Sequence, residues 1–335
     1  MTTPRQALVI GATGGVGGAI ADRLLADGWQ VRAINRDPAT AAQRSGRSGL
    51  EWVRGDAMVQ ADVVAAAQGC EIIVHGANPP GYKNWAGLQM PMIRSTIAAA
   101  QATGARILFP GTVYNYGPDA FPRIDERSPQ TPRSRKGAIR VRMEQALRDA
   151  GVPVLIVRCG DFFGPRPGNN WLSQGIVRAG RPITSVMAPG PMDVAHTWAY
   201  LPDVAETFVR LLDTDLGAVE VVQMKGHEIT GRELVAGLEA AAGRKLKVNR
   251  LPWPALMLAA PFNESLREML EMRYLWNEPV LLDDTALVAR LGAEPRTPLV
   301  EALRTALAGQ SSLPVGEGQL AGGEQGGGVS ILPAI

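Results

Sequence analysis

A glycine loop set between an apolar run and an amphipathic run limits what this chain can fold into. Ala7-Leu-Val-Ile10 places four apolar side chains in a row, the pattern of a strand buried on both faces. Gly11-Ala-Thr13-Gly14-Gly15-Val16-Gly17 follows at once. Ile20, Leu24 and Leu25 then share one helical face up to Asp27, and Gly28 stands where a C-terminal cap belongs. A strand that turns through small residues into a helix lets its backbone approach a pyrophosphate. The free N–H groups at the helix start add donors and a positive dipole. The spacing is G-x-x-G-x-x-G, looser than the tightest dinucleotide fingerprint, but the strand–turn–helix setting makes it a dinucleotide site rather than a bare turn.

The same alternation continues. Residues 31–34, 51–53, 71–75, 106–109 and 154–158 read as strands; 90–103 and 133–150 read as helices ending at Gly104 and Gly151. Strands and helices at this pace predict an α/β fold: a doubly wound parallel sheet, a Rossmann fold, with a smaller C-terminal substrate lobe. Residues 1–160 are expected to bind the dinucleotide. Residues 161–308 would interleave the last sheet strands with the substrate lobe, because prolines at 165, 167, 182, 189 and 191 break the regular pattern. Residues 309–335 hold eight glycines and read as a poorly ordered tail.

With 34 Lys+Arg against 32 Asp+Glu, the chain lacks the basic excess of a nucleic-acid binder. Its two cysteines and three histidines show no metal-ligand spacing, so no metal is expected. No secretory signal precedes the first strand, and the longest apolar stretch, 251–262, is about half a membrane span and is interrupted by prolines. A cytoplasmic protein with a small-molecule substrate and no membrane partner is the expectation. The apolar stretch, continued through Met269, Met272 and Trp276, is expected to pack the core of the small lobe, with a substrate roof or subunit interface as the alternative.

Cofactor choice is read where the second strand ends, at Asn35-Arg36-Asp37-Pro38. An acid in the ribose-facing slot selects NAD, whereas an arginine accommodates the 2′-phosphate of NADP. Arg36 takes that slot, and Asp37 reads as an Asp-Pro turn residue. NADP is therefore expected before NAD; a solvated surface arginine is the competing reading. Asp56, followed by Ala57, is placed to meet the adenine amino group or to cap a helix.

Gly11 to Gly17, Gly55-Asp56, His75-Gly-Ala77, Phe109-Pro-Gly-Thr112-Val-Tyr114-Asn115-Tyr-Gly117, Arg158-Cys159-Gly-Asp-Phe162-Phe-Gly-Pro165 and Tyr200-Leu-Pro-Asp203 stand in chain order. Over roughly residues 6 to 305, these make the chain resemble the extended or atypical short-chain dehydrogenases/reductases, on their NAD-dependent epimerase/dehydratase side. The resemblance implies that Ala77 and Asn78 line the cofactor and that Cys159 to Phe163 lie along its nicotinamide. It also implies a homodimer through the helices at 90–103 and 133–150, although the second is unusually basic for a buried interface. That family carries a Ser or Thr after the fifth strand and Tyr-x-x-x-Lys on the next helix. Aligning Glu144 with the family's downstream Glu puts Lys136 in the Tyr slot and Arg140 in the Lys slot, so the tyrosine is missing.

Three readings of Lys136 stand open. It is the acid/base, with its pKa lowered by Arg140 and the cationic nicotinamide; or Tyr114 or Tyr116 moves the proton while Thr112 holds the substrate oxygen; or it is a surface lysine in a basic helix. Arg140 is expected to hold the nicotinamide ribose in every case. Asn115, Asn169, Asn170 and Trp171 are the substrate-contact candidates, Asn170 doubling as a helix cap. His75 reads as a core histidine and Asp203 as a cap at a helix start. The function expected is an NADP-dependent oxidoreductase or epimerase acting on a small polar or aromatic carbonyl, enone or sugar-like substrate. The alternatives are a non-catalytic NADP(H) sensor and a redox-neutral sugar-nucleotide epimerase or dehydratase.

Overall fold

The computed structural model describes residues 4–79, 84–166, 170–177 and 182–311. Its first half runs β1 (Gln6–Ile10), α1 (Gly15–Ala26), β2 (Gln30–Asn35), α2 (Pro38–Ser45), β3 (Leu50–Arg54), α3 (Gln60–Ala66), β4 (Ile72–His75), α4 (Trp85–Thr103), β5 (Arg106–Thr112), β6 (Arg123–Ile124), α5 (Arg135–Arg148) and β7 (Val154–Cys159). There follow β8 (Asp161–Phe163), β9 (Ser185–Ala188), β10 (Ala195–Tyr200), α6 (Leu201–Leu212), β11 (Val219–Gln223), β12 (His227–Thr230), α7 (Gly231–Ala242) and β13 (Lys247–Arg250). The chain closes with α8 (Trp253–Ala259), α9 (Glu264–Glu271), β14 (Leu281–Leu282), α10 (Thr285–Leu291) and α11 (Leu299–Ser311).

Seven parallel strands make one sheet in the order β11-β7-β5-β4-β1-β2-β3. The period of two explains the apolar run of β1. Ala7 and Val9 pack with Ile20, Leu24 and Phe208 of α1 and α6, whereas Leu8 and Ile10 pack with Val63, Ile93 and Met143 of α3, α4 and α5. The order reverses between β4 and β1, and there the crossovers to either face leave a crevice at the carboxyl ends of the strands. A second core, rich in tryptophan, joins Trp171, Trp198, Trp253 and Trp276 with Leu238 of α7 and Leu303 of α11. The strands β8, β10 and β12 form a small sheet beside it.

Three differences from the sequence reading have local causes. The helix expected at 90–103 starts at Trp85 and runs through Pro91, which forfeits one intrahelical hydrogen bond without ending the helix. β5 continues three residues beyond Phe109, through Pro110 and Gly111, because both still align with β7. The apolar segment after Leu251 is split at Pro261 and Asn263, and the Asn263 side chain caps α9 by accepting from the Leu266 amide. One face of this segment packs as expected, through Trp253, Leu256 and Ala260, but Leu258 and Phe262 are 79% and 92% exposed. Among the described residues, no helix is long and apolar enough to cross a membrane, and no cluster of three His, Cys, Asp or Glu could hold a metal ion.

Candidate active site

The crevice at β1 and β4 is built by mutual contact of glycines. Gly11 has φ +88°, and a Cβ there would lie 2.6 Å from the Gly76 carbonyl carbon. A Cβ on Gly17 would lie 2.5 Å from the Gly11 oxygen, and one on Gly76 would lie 2.7 Å from the Gly17 Cα. These three positions have no room for a side chain, because β1, the start of α1 and the end of β4 meet there backbone to backbone. Thr13 and Gly14 are exposed, Gly15 and Val16 half-buried, and the Gly14 amide turns back to the Gly11 oxygen at 2.9 Å. The α1 amides therefore open onto the crevice, which fits a pyrophosphate.

At the adenosine end, Asp37 caps α2 and is fully engaged by Thr40, whose amide (3.2 Å) and hydroxyl (2.6 Å) both donate to its carboxylate. Asn35 Oδ1 accepts the Asp37 amide at 2.9 Å. Arg36 is exposed, and its guanidinium has no ion pair among the described residues. Arg47, which the sequence reading did not single out, reaches across the glycine loop. Its Nη1 donates to the Ala12 oxygen at 3.0 Å and its Nε to Asp22 at 2.7 Å. Its signal is entirely tertiary, since the connection between α2 and β3 has no motif. Asp56 accepts the Met58 amide at 2.9 Å and stands three residues before Val59, the residue that caps α3, so capping is not its role. Ala57 is half-buried beside it. Ala77 and Asn78 follow Gly76 along the crevice, and Asn78 accepts from Gln89 at 2.8 Å.

The carboxyl ends of β5 and β7 bring the candidate reaction site together. Thr112 is aligned with Cys159, and its hydroxyl oxygen accepts the Tyr114 amide at 3.3 Å, fixing the turn that follows. Tyr114, Asp161, Trp171 and His196 line one cavity. Arg140 is 9% exposed; it donates to the Pro110 oxygen and lies over the Phe109 ring at 4.5 Å, while its Nε is buried without a partner among the described residues. Burial pushes its guanidinium down to about 10, held from falling further by Glu144 and Tyr114. A cation with an unspent donor at this place fits a ribose hydroxyl.

Lys136 points elsewhere. It is wholly buried, with its ammonium on the Glu268 carboxylate and at 3.1 Å from the Glu268 backbone oxygen. Residues four apart share a helix face, but Lys136 turns to α9 while Arg140 turns to the end of β5. The surface-lysine reading is therefore overturned. Burial holds the Lys136 ammonium below its ordinary pKa, against the pull of Glu268.

Two further candidates serve structure. Asn115 is fully buried, does not line the cavity, and donates to Glu144 at 2.8 Å. It belongs to a buried network in which Arg158 grips Glu144 at 2.6 Å and donates to the Tyr116 hydroxyl at 2.7 Å. This spends Tyr116 too, whose phenol burial pushes up to about 12. Asp203 sits in the first turn of α6, but its carboxylate accepts from the Thr297 amide and hydroxyl at 2.8 and 2.7 Å, tying down the approach to α11.

Cys159 is fully buried and burial raises its thiol; Phe162 is half-buried. Asn170 accepts the Ser173 amide at 2.9 Å, the capping alternative, and Asn169 lies outside the described residues. His75 bonds Thr96 at 2.7 Å and burial pushes it down to about 3, as a core histidine. Asp161 went unremarked in sequence because it reads as one more residue of the Cys159–Phe163 run. Burial pushes its carboxyl up to about 7.

Residues 7–223 match the model of the NAD dependent epimerase/dehydratase family. The chain belongs to that family. Among its relatives are a ceramide reductase of Caulobacter vibrioides, 26% identical over 75% of each chain. Another is the (4-alkanoyl-5-oxo-2,5-dihydrofuran-3-yl)methyl phosphate reductase of Streptomyces griseus, 31% identical over 73% of this chain and 76% of that one. A UDP-glucose 4-epimerase of Bifidobacterium longum, solved with NAD+ and UDP, shares the fold with a TM-score of 0.70 at 16% identity, over 91% of this chain and 98% of that one. This family member is an NAD(P)-dependent enzyme.

Proposed function

We propose that the protein is an NADP(H)-dependent reductase of a carbonyl or enone, with Tyr114 as its proton donor. A bound nicotinamide supplies or takes up the hydride. Thr112 fixes the loop and offers its hydroxyl to the substrate oxygen. Tyr114 gives that oxygen its proton, and Arg140 holds the ribose through Nε and steadies negative charge on the phenol. Asp161, poised near neutrality in the same cavity, is the group through which Tyr114 regains a proton. The observation that carries this reading is the meeting of Tyr114 and Asp161 in one cavity while Lys136 is committed to Glu268.

The preference for NADP rests on Asp37, whose carboxylate is taken up by Thr40, beside Arg36, which has no ion pair among the described residues. The sugar-nucleotide epimerase reading has fold likeness in its favour. Against it, none of the described residues lining the Tyr114 cavity is Lys or Arg, and Asp161 would face a diphosphate with negative charge. Both relatives named above are reductases. The test is NADPH oxidation across a panel of aldehydes, ketones and enones with wild type and Tyr114→Phe. The variant should lose about 10²–10⁴-fold in kcat with NADPH affinity unchanged. Equal turnover by the variant would refute the assignment.

A further inference from the structure

The Tyr114 cavity shares two of its lining residues, His196 and Trp276, with a second cavity. The first measures about 10 Å³ and the second about 30 Å³, so the second is the larger of the two. The two shared side chains carry no charge. Burial pushes the His196 imidazole down to about 4, and its ring leans on Trp276 at a centroid distance of 4.8 Å.

The second chamber is lined by Ile176, Val186, Met187, Leu234 and Val235, and by the turn from Pro189 to Pro191. Its backbone has little left to offer a polar guest. The Ala188 oxygen accepts the Leu251 amide at 2.9 Å, Pro189 the Trp253 indole at 2.8 Å, Pro191 the Val194 amide at 3.4 Å and Met192 the Arg232 amide at 3.0 Å. The two prolines have no N–H to give. A polar group placed there would lose its water and find few partners, whereas methylenes would lose nothing and leave water behind.

We propose that the substrate bears an alkyl chain that runs from the Tyr114–Asp161 cavity past His196 and Trp276 into this chamber. The proposal rests on the reductase reading, which puts the carbonyl at Tyr114. It names the part of the substrate that selects it: an unbranched aliphatic tail attached near the reacting carbon.

The test uses methyl ketones from 2-butanone to 2-undecanone with the full-length protein. NADPH oxidation gives kcat/KM, and quenching of tryptophan fluorescence gives Kd for the same ketones, since Trp198 and Trp276 line the chamber. Both should improve by about three- to fourfold per added methylene over the first few carbons. Ala188→Phe and Val235→Trp, each at a half-buried wall position, should flatten the series and leave 2-butanone unaffected. Met187→Ala should move the optimum to a longer chain, which guards against a filled variant that misfolds. Turnover without chain-length dependence, or variants that keep the full slope, overturns the chamber and leaves the reductase reading standing. A slope in Kd that the filling variants abolish, with no ketone turned over, supports the chamber and sinks the reductase reading.

Discussion

Breaking the Lys136–Glu268 pair from each side in turn separates a strut from a catalyst. The Lys136 side chain is fully buried and that of Glu268 is 12% exposed. Glu268 has a second cation, Arg135, at 2.7 Å, and Lys136 meets the Glu268 backbone oxygen at 3.1 Å as well as the carboxylate. The two single substitutions should therefore cost different amounts. Glu268→Gln takes the carboxylate away from a buried ammonium and should cost about 3–5 kcal/mol. Lys136→Met leaves Glu268 with Arg135 and should cost roughly 1–3 kcal/mol. The lowered pKa of Lys136 says that desolvation outweighs the attraction of its partner. Below the folded-state pKa the charged lysine thus weighs against folding, and that burden lifts as pH rises toward the ordinary lysine value. It follows that Lys136→Met with Glu268→Leu should match wild type or exceed it by about 1–4 kcal/mol, with Arg135 still held by Glu271 at 2.6 Å. Urea unfolding measures the cycle, and NADPH turnover per folded molecule should stay within about threefold of wild type, since a strut lies off the reaction path. A Lys136→Met protein that folds and binds cofactor like wild type but loses turnover by about a hundredfold or more would refute this reasoning and restore the lysine as acid/base.

Asp161→Asn should stabilise the protein increasingly with pH. The wild-type carboxyl ionises at about 7 when folded but near its ordinary value when unfolded, so its cost accrues as pH rises between the two; urea unfolding should show a gain larger by about 2–3 kcal/mol at pH 8 than at pH 5, and a gain independent of pH would contradict the assignment. Arg36→Ala should weaken NADPH binding by about tenfold or more, about 1.4 kcal/mol, while leaving NADH unchanged; calorimetric titration decides, and an equal loss for both cofactors would remove Arg36 from the 2′-phosphate.

The parallel sheet is legible in the sequence because its central strands state their burial locally. Ala7-Leu-Val-Ile10 is apolar on both faces, and the glycines that follow need only their neighbours to make the turn. What escaped reading depends on partners far along the chain. α2 buries only Ala41 and so has no apolar stripe to announce it. Arg47 acquires its place from Ala12 and Asp22, and Lys136 from Glu268, more than a hundred residues away. Asn115, polar and set in a loop after a sheet strand, had the look of a ligand contact, yet it is consumed by Glu144 on α5.

The divergence of Lys136 and Arg140 shows where the limit lies. Spacing of four establishes a common helix face, and a face is all it establishes. That face of α5 meets two neighbours: α9 near its start and the end of β5 one turn later. The carboxylate of Glu268 captures the first cation, while the Pro110 carbonyl and the Phe109 ring hold the second at the crevice. With the first cation held by α9, the proton transfer we propose is assigned to the loop after β5. There Tyr114 shares a cavity with the carboxyl of Asp161 and feels the charge of Arg140. The helix thus turns one cation to α9 and the other to the end of β5, which is why its spacing alone could not separate a strut from a residue at the crevice.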